Sequence, residues 1–98
     1  MPRKEATLTR NILALFRQLP NSWFERVEQQ SICGTPDILG CYQGQMVAIE
    51  VKTKKGRLSK LQQHKLGKIE RAGGLALVLN EDNFFDWYER LIDEALTN

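Results

Sequence analysis

Asp37, Glu50 and Lys52 are the residues of this chain whose types and spacing can do chemistry. Asp37 lies in the run Gly34-Thr35-Pro36-Asp37-Ile38-Leu39-Gly40, and Glu50-Val51-Lys52 closes an apolar stretch a short connection later. Side chains alternate along a strand, so Glu50 and Lys52, two residues apart, project from one face. Val47, Ile49 and Val51 are apolar and β-branched and take the opposite face, which suits packing into a core. The two charges therefore stand at the rim of a hydrophobic sheet. The segment from Asp37 to Gln43 reads as a neighbouring strand, joined to it through a tight turn at Gly44. A Gln43-Gly44 loop sets Asp37 opposite Glu50, and a Gly44-Gln45 loop sets it opposite Lys52. Either register clusters the three groups, because directly opposed residues share a face at roughly 4.5–5.5 Å. Two carboxylates so close repel each other, and a divalent cation removes that cost. Mg²⁺ takes oxygen ligands at about 2.1 Å, and a lysine beside it can orient an attacking water or offset the charge of a phosphate. The plain alternative is a cross-strand salt bridge from Lys52 to Glu50 or Asp37, which carries no chemistry.

Holding these residues requires an α/β arrangement in the order α-β-β-β-α-β-α. Thr7 is placed to cap a first helix with apolar positions Leu8, Ile12, Leu15, Phe16 and Leu19, and Pro20 to end it. Trp23 to Gln30 alternates as a first strand. Ser59 caps a second helix running to about Arg71, where Gly73-Gly74 forces the chain out. Leu75 to Leu79 is continuously apolar, as in a central strand covered on both faces, and a right-handed helical crossover would pair it parallel to the third strand. The sheet is then mixed and flanked by helices. The last helix, from about Asn83 to Leu96, is apolar over more than one face, so it either covers the sheet alone or also meets a second copy. No repeat or linker interrupts residues 1–98, which read as one domain.

With 42% apolar and 27% charged residues the composition is that of a soluble globular chain. No stretch approaches the roughly 18 apolar residues of a membrane span, and the first residues lack a signal peptide's apolar stretch, so a cytoplasmic protein is expected. Cys33 and Cys41 are expected to be reduced and buried, and the Cys and His content carries no zinc spacing. The net charge is only +2, but Lys52, Lys54, Lys55, Arg57, Lys60, Lys65, Lys68 and Arg71 follow the motif while the acidic residues gather toward the C-terminus. That asymmetry suggests a nucleic-acid-facing side and a side turned away, against the ordinary reading of a solvated helix face. Lys54, Lys55, Arg57 and Lys60 are the candidate DNA contacts. Gln62 shares a helical stripe with Leu58, Leu66 and Ile69, so it faces the sheet and needs a polar partner there.

These segments, with Met46 to Lys52, Gly56-Arg57-Leu58-Ser59, Gln62 and Ala72-Gly73-Gly74, resemble the VRR-Nuc branch of the PD-(D/E)xK nuclease superfamily over about residues 22–80. The resemblance implies a restriction-endonuclease-like core and a Mg²⁺- or Mn²⁺-dependent phosphodiesterase. Asp37, Glu50 and the Val51 carbonyl would bind metal, Lys52 would be the catalytic lysine, and Gln62 would belong to the site. Related resolvases look to carry another carboxylate near the start of the first helix, which makes Glu5 an additional candidate. Glu28 is a weaker one, and His64 reads as a surface residue. Stand-alone members look like small homodimeric nucleases of viral or bacterial origin, similar to Holliday junction resolvases, which points to branched DNA as the partner. The competing readings are a non-catalytic DNA-binding or assembly module on the same fold and a restriction-like, sequence-specific endonuclease.

Overall fold

The computed structural model describes residues 3–28 and 33–97. The elements follow the expected order: α1 (Arg3–Phe16), β1 (Ser22–Arg26), β2 (Ile38–Tyr42), β3 (Gln45–Val51), α2 (Lys60–Arg71), β4 (Leu75–Leu79) and α3 (Phe84–Thr97). Gln29 and Gln30, expected at the end of the first strand, lie outside the described residues. The four strands form one sheet in the order β1-β2-β3-β4. β1, β2 and β3 are antiparallel neighbours, whereas β3 and β4 run parallel, so the sheet is mixed.

The β2–β3 turn is Gln43-Gly44, with φ of 55° and 79°. Positive φ at both central residues gives the turn a twist that matches the strands it joins. Of the two possible registers it selects the one pairing Ile38 with Ile49. One step further along, Asp37 stands opposite Glu50.

Each face of the sheet is covered by helices. Val47, Ile49 and Val51 join Ile38, Phe24, Leu77 and Leu79 in a core closed by Leu8, Ile12, Leu13 and Phe16 of α1 and Leu91 of α3. The Phe16 and Phe24 rings meet edge to face at 5.7 Å. Gly40 makes room for this packing, since a Cβ there would lie 2.2 Å from Cδ1 of Phe24. On the opposite face, α2 covers Ala48 and Glu50, with Leu66 buried beneath it.

Four expectations are corrected. Helix α1 begins at Arg3, so Thr7 lies inside it and caps nothing. The Arg-Lys-Glu-Ala start has strong helix formers that extend the helix upstream of the threonine. Nor does Pro20 end it: the last turns tighten as Gln18 and Leu19 donate to carbonyls three residues back, the usual 3₁₀ closure. β4 is an edge strand, not a central one, and alternates between buried Leu77 and Leu79 and exposed Val78. Its free side is closed by a side chain, Asn83 Nδ2 donating to the Val78 carbonyl. On the other edge, Arg17 Nε donates to the Phe24 carbonyl. Finally, Cys33 and Cys41 are free and exposed, because Cys41 falls on the outer phase of β2. The broad apolar surface of α3 is mostly used within the chain: Phe84, Trp87, Tyr88, Ile92 and Ala95 pack against the core, while Phe85 remains 52% exposed.

Candidate active site

Asp37 enters the sheet immediately before β2. Pro36 is buried and restricts Thr35 to extended backbone, and the Asp37 carbonyl accepts from Val27 N–H at 2.8 Å. The carboxylate turns across to β3, where Oδ2 accepts from Val51 N–H at 2.8 Å. A backbone donor thus fixes one oxygen and leaves the rest of the group beside Glu50.

Glu50 is 3% exposed. Its Oε1 accepts from Gln62 Nε2 at 2.9 Å, while Oε2 is buried and, among the described residues, receives no donor. Buried polar atoms are nearly always paired, and an exception needs a cause. Burial, then repulsion from Asp37, pushes the Glu50 carboxyl up from 4.5 to about 8; Lys52 pulls the other way, while a hydrogen bond shared with the Asp37 carboxylate and, last, the charge of Glu5 add smaller upward pushes.

Gln62 is oriented by its own helix. Ser59 caps α2 by accepting from Gln62 N–H at 3.1 Å, and Gln62 Oε1 accepts from Ser59 N–H at 2.9 Å, a complete capping box. With its oxygen committed to Ser59, the amide presents Nε2 to Glu50. The Ser59-x-x-Gln62 spacing was the available sign of this coupling, although it does not reveal where the second half of the amide points.

Lys52 is half-buried on the Glu50 face, and its N–H donates to the Leu79 carbonyl at 3.0 Å. Among the described residues, it forms no ion pair with Asp37 or Glu50, so the salt-bridge alternative has no support here. Glu5 sits half-buried in the first turn of α1, close enough for its charge to act on Glu50. Glu28 is exposed beyond β1, and His64 is exposed on α2. Lys54, Lys55 and Arg57 lie in the exposed β3–α2 connection, with Lys60 at the start of α2. The charge asymmetry is less clean than expected, because Glu81 Oε1 accepts from Lys54 N–H at 2.5 Å and so adjoins the basic loop.

Among the described residues, no group of three or more His, Cys, Asp or Glu side chains converges as a metal site. Asp37 and Glu50 supply two carboxylates. That set fits Mg²⁺ or Mn²⁺, which bind through one or two carboxylates and complete their shells with backbone, water and phosphate oxygens. The Oε2 of Glu50, which receives no donor, is an oxygen such an ion could take.

A mixed sheet between helices thus carries paired carboxylates and a lysine at the ends of adjoining strands, an arrangement suited to metal-assisted phosphodiester hydrolysis. The sequence matches the family model described as "VRR-NUC domain" over residues 2–82, and the chain belongs to that family. A solved structure described as "VRR_NUC domain" superposes with a TM-score of 0.72 at 19% identity, covering 94% of this chain and 97% of the other. That similarity extends the shared fold beyond the residues of the family match. The comparison with curated proteins finds no match. Family membership suggests nuclease activity on DNA, generally dependent on a divalent metal. Among the described residues, no helix is long and apolar enough to cross a membrane.

Proposed function

We propose that this protein is a divalent-metal-dependent endodeoxyribonuclease acting on branched DNA. The observation that carries the reading is the buried Oε2 of Glu50, which receives no donor, beside the Asp37 carboxylate. Asp37, Glu50 and the Val51 carbonyl would hold the ion. Mg²⁺ or Mn²⁺, when bound, supplies Lewis acidity for hydrolysis of the phosphodiester.

The chain's own groups do the rest. Lys52 places an ammonium on the same face and offsets the charge that develops on the phosphate. Gln62 holds the Glu50 carboxylate in one orientation through its capping-box-fixed amide. Glu5 is a candidate further oxygen donor. Lys54, Lys55, Arg57 and Lys60 hold the flanking phosphates. A symmetric homodimer would present two such sites to opposing strands of a four-way junction, which makes the junction the favoured substrate.

The test is cleavage of end-labelled junction, flap, duplex and single-stranded DNA in Mg²⁺, Mn²⁺ and EDTA. Nicking that needs metal and is strongest on the junction is expected, and Lys52→Ala should abolish it without altering thermal melting. Folded protein that binds DNA equally with or without Mg²⁺ and never nicks it is a binding module instead. A mutant that remains fully active removes Lys52 from the mechanism.

A further inference from the structure

Lys65 lies among the basic residues that the charge pattern assigns to DNA, yet its ammonium is engaged elsewhere. Nζ donates to the carbonyl of Cys33. Its aliphatic stem and Leu61, one turn earlier on α2, press on the next residue: a Cβ at Gly34 would lie 2.9 Å from Leu61 Cγ and 3.3 Å from Lys65 Cδ. Gly34 has a φ of 80°, a conformation other residues adopt at a cost, and so lets the chain turn under the helix. Three residues on, the same segment delivers Asp37.

We propose that Lys65 is a positioning residue for Asp37 and not a phosphate contact. The inference rests on the metal-dependent reading above. Helix α2 then sets both carboxylates. Gln62 holds Glu50 directly, and the Leu61–Lys65 face of the helix clamps Cys33 and Gly34, at the start of the segment that leads into Asp37. A residue that orients a metal ligand shows itself in metal affinity, by about 10–100-fold where it bonds the ligand directly and by less where, as here, it acts through the backbone leading to it. A phosphate contact shows itself in DNA affinity and its salt slope.

Lys65→Met and Lys65→Arg separate the two. Mn²⁺ affinity of the DNA-free protein is measured by calorimetry, DNA affinity in EDTA across a salt series, and amide hydrogen exchange over residues 33–37. Lys65→Met is expected to weaken Mn²⁺ binding by up to about tenfold, the lower end of the effect of a direct ligand partner, and to speed exchange in that segment. DNA affinity in EDTA and its salt slope should stay unchanged, and Lys65→Arg should restore Mn²⁺ binding. Unchanged Mn²⁺ affinity and exchange, with weaker DNA binding and a shallower salt slope, overturns the inference. Wild-type protein that takes up no Mn²⁺ sinks the metal reading itself, and the exchange measurement then decides the clamp alone.

Discussion

Glu50 concentrates the physics of the site in one side chain. A carboxylate at 3% exposure, with one oxygen on Gln62 and the other without a donor beside Asp37, is held in a position that disfavours its own charge. In the folded chain it keeps its proton to about pH 8, whereas an unfolded chain gives it up near 4.5. The folded state therefore binds more protons across that interval, so stability falls as pH rises through it. Metal-free protein is expected to lose thermal stability between about pH 4.5 and 8, and Glu50→Gln should flatten the loss. Adding Mg²⁺ at pH 8 should restore melting to the wild type and not to the variant, since a ligand that binds only the folded state stabilises it. A wild-type melting temperature that climbs over the same range would contradict this account.

At the scale of elements, the hairpin and the capping box do the positioning. Much of this was legible in the sequence: apolar alternation from Val47 to Val51 placed Glu50 and Lys52 on one face, and Ser59 with Gly73-Gly74 bounded α2. The sequence admits two β2–β3 registers, because turn geometry depends on which residues accept positive φ, and Gln43 gives no sign that it does. The edge placement of β4 was hidden for a different reason. An apolar run reports that a strand is buried somewhere, not how many neighbours it pairs with, and Val78 is tolerated at a partly exposed position. Cys41 was misplaced by residue type, its burial being decided by strand phase. Gly40 tests the packing directly. Because Cδ1 of Phe24 and the Trp23 carbonyl fill the space a Cβ would need, Gly40→Ala is expected to destabilise the protein by about 1–3 kcal/mol. Chemical denaturation reads that loss, and a neutral result would mean β1 shifts freely over β2.

At the scale of the whole molecule, the homodimer proposed above needs a surface on which two copies can meet. Most of the apolar surface of α3 packs on the core, so Phe85 at 52% and Trp23 at 59% are, among the described residues, the exposed aromatics available for such a contact. Sedimentation at micromolar concentration is expected to give twice the chain mass, and Phe85→Asp to lower it if α3 forms the contact. A monomer that retains junction cleavage would remove the symmetric arrangement. Whatever that contact is, the two side chains that close the sheet's flanks narrow the choice. Arg17 occupies the Phe24 carbonyl and Asn83 the Val78 carbonyl, so on each outer strand an acceptor that could recruit a foreign strand is already taken. The sheet is thereby a poorer template for edge-to-edge growth into fibrils.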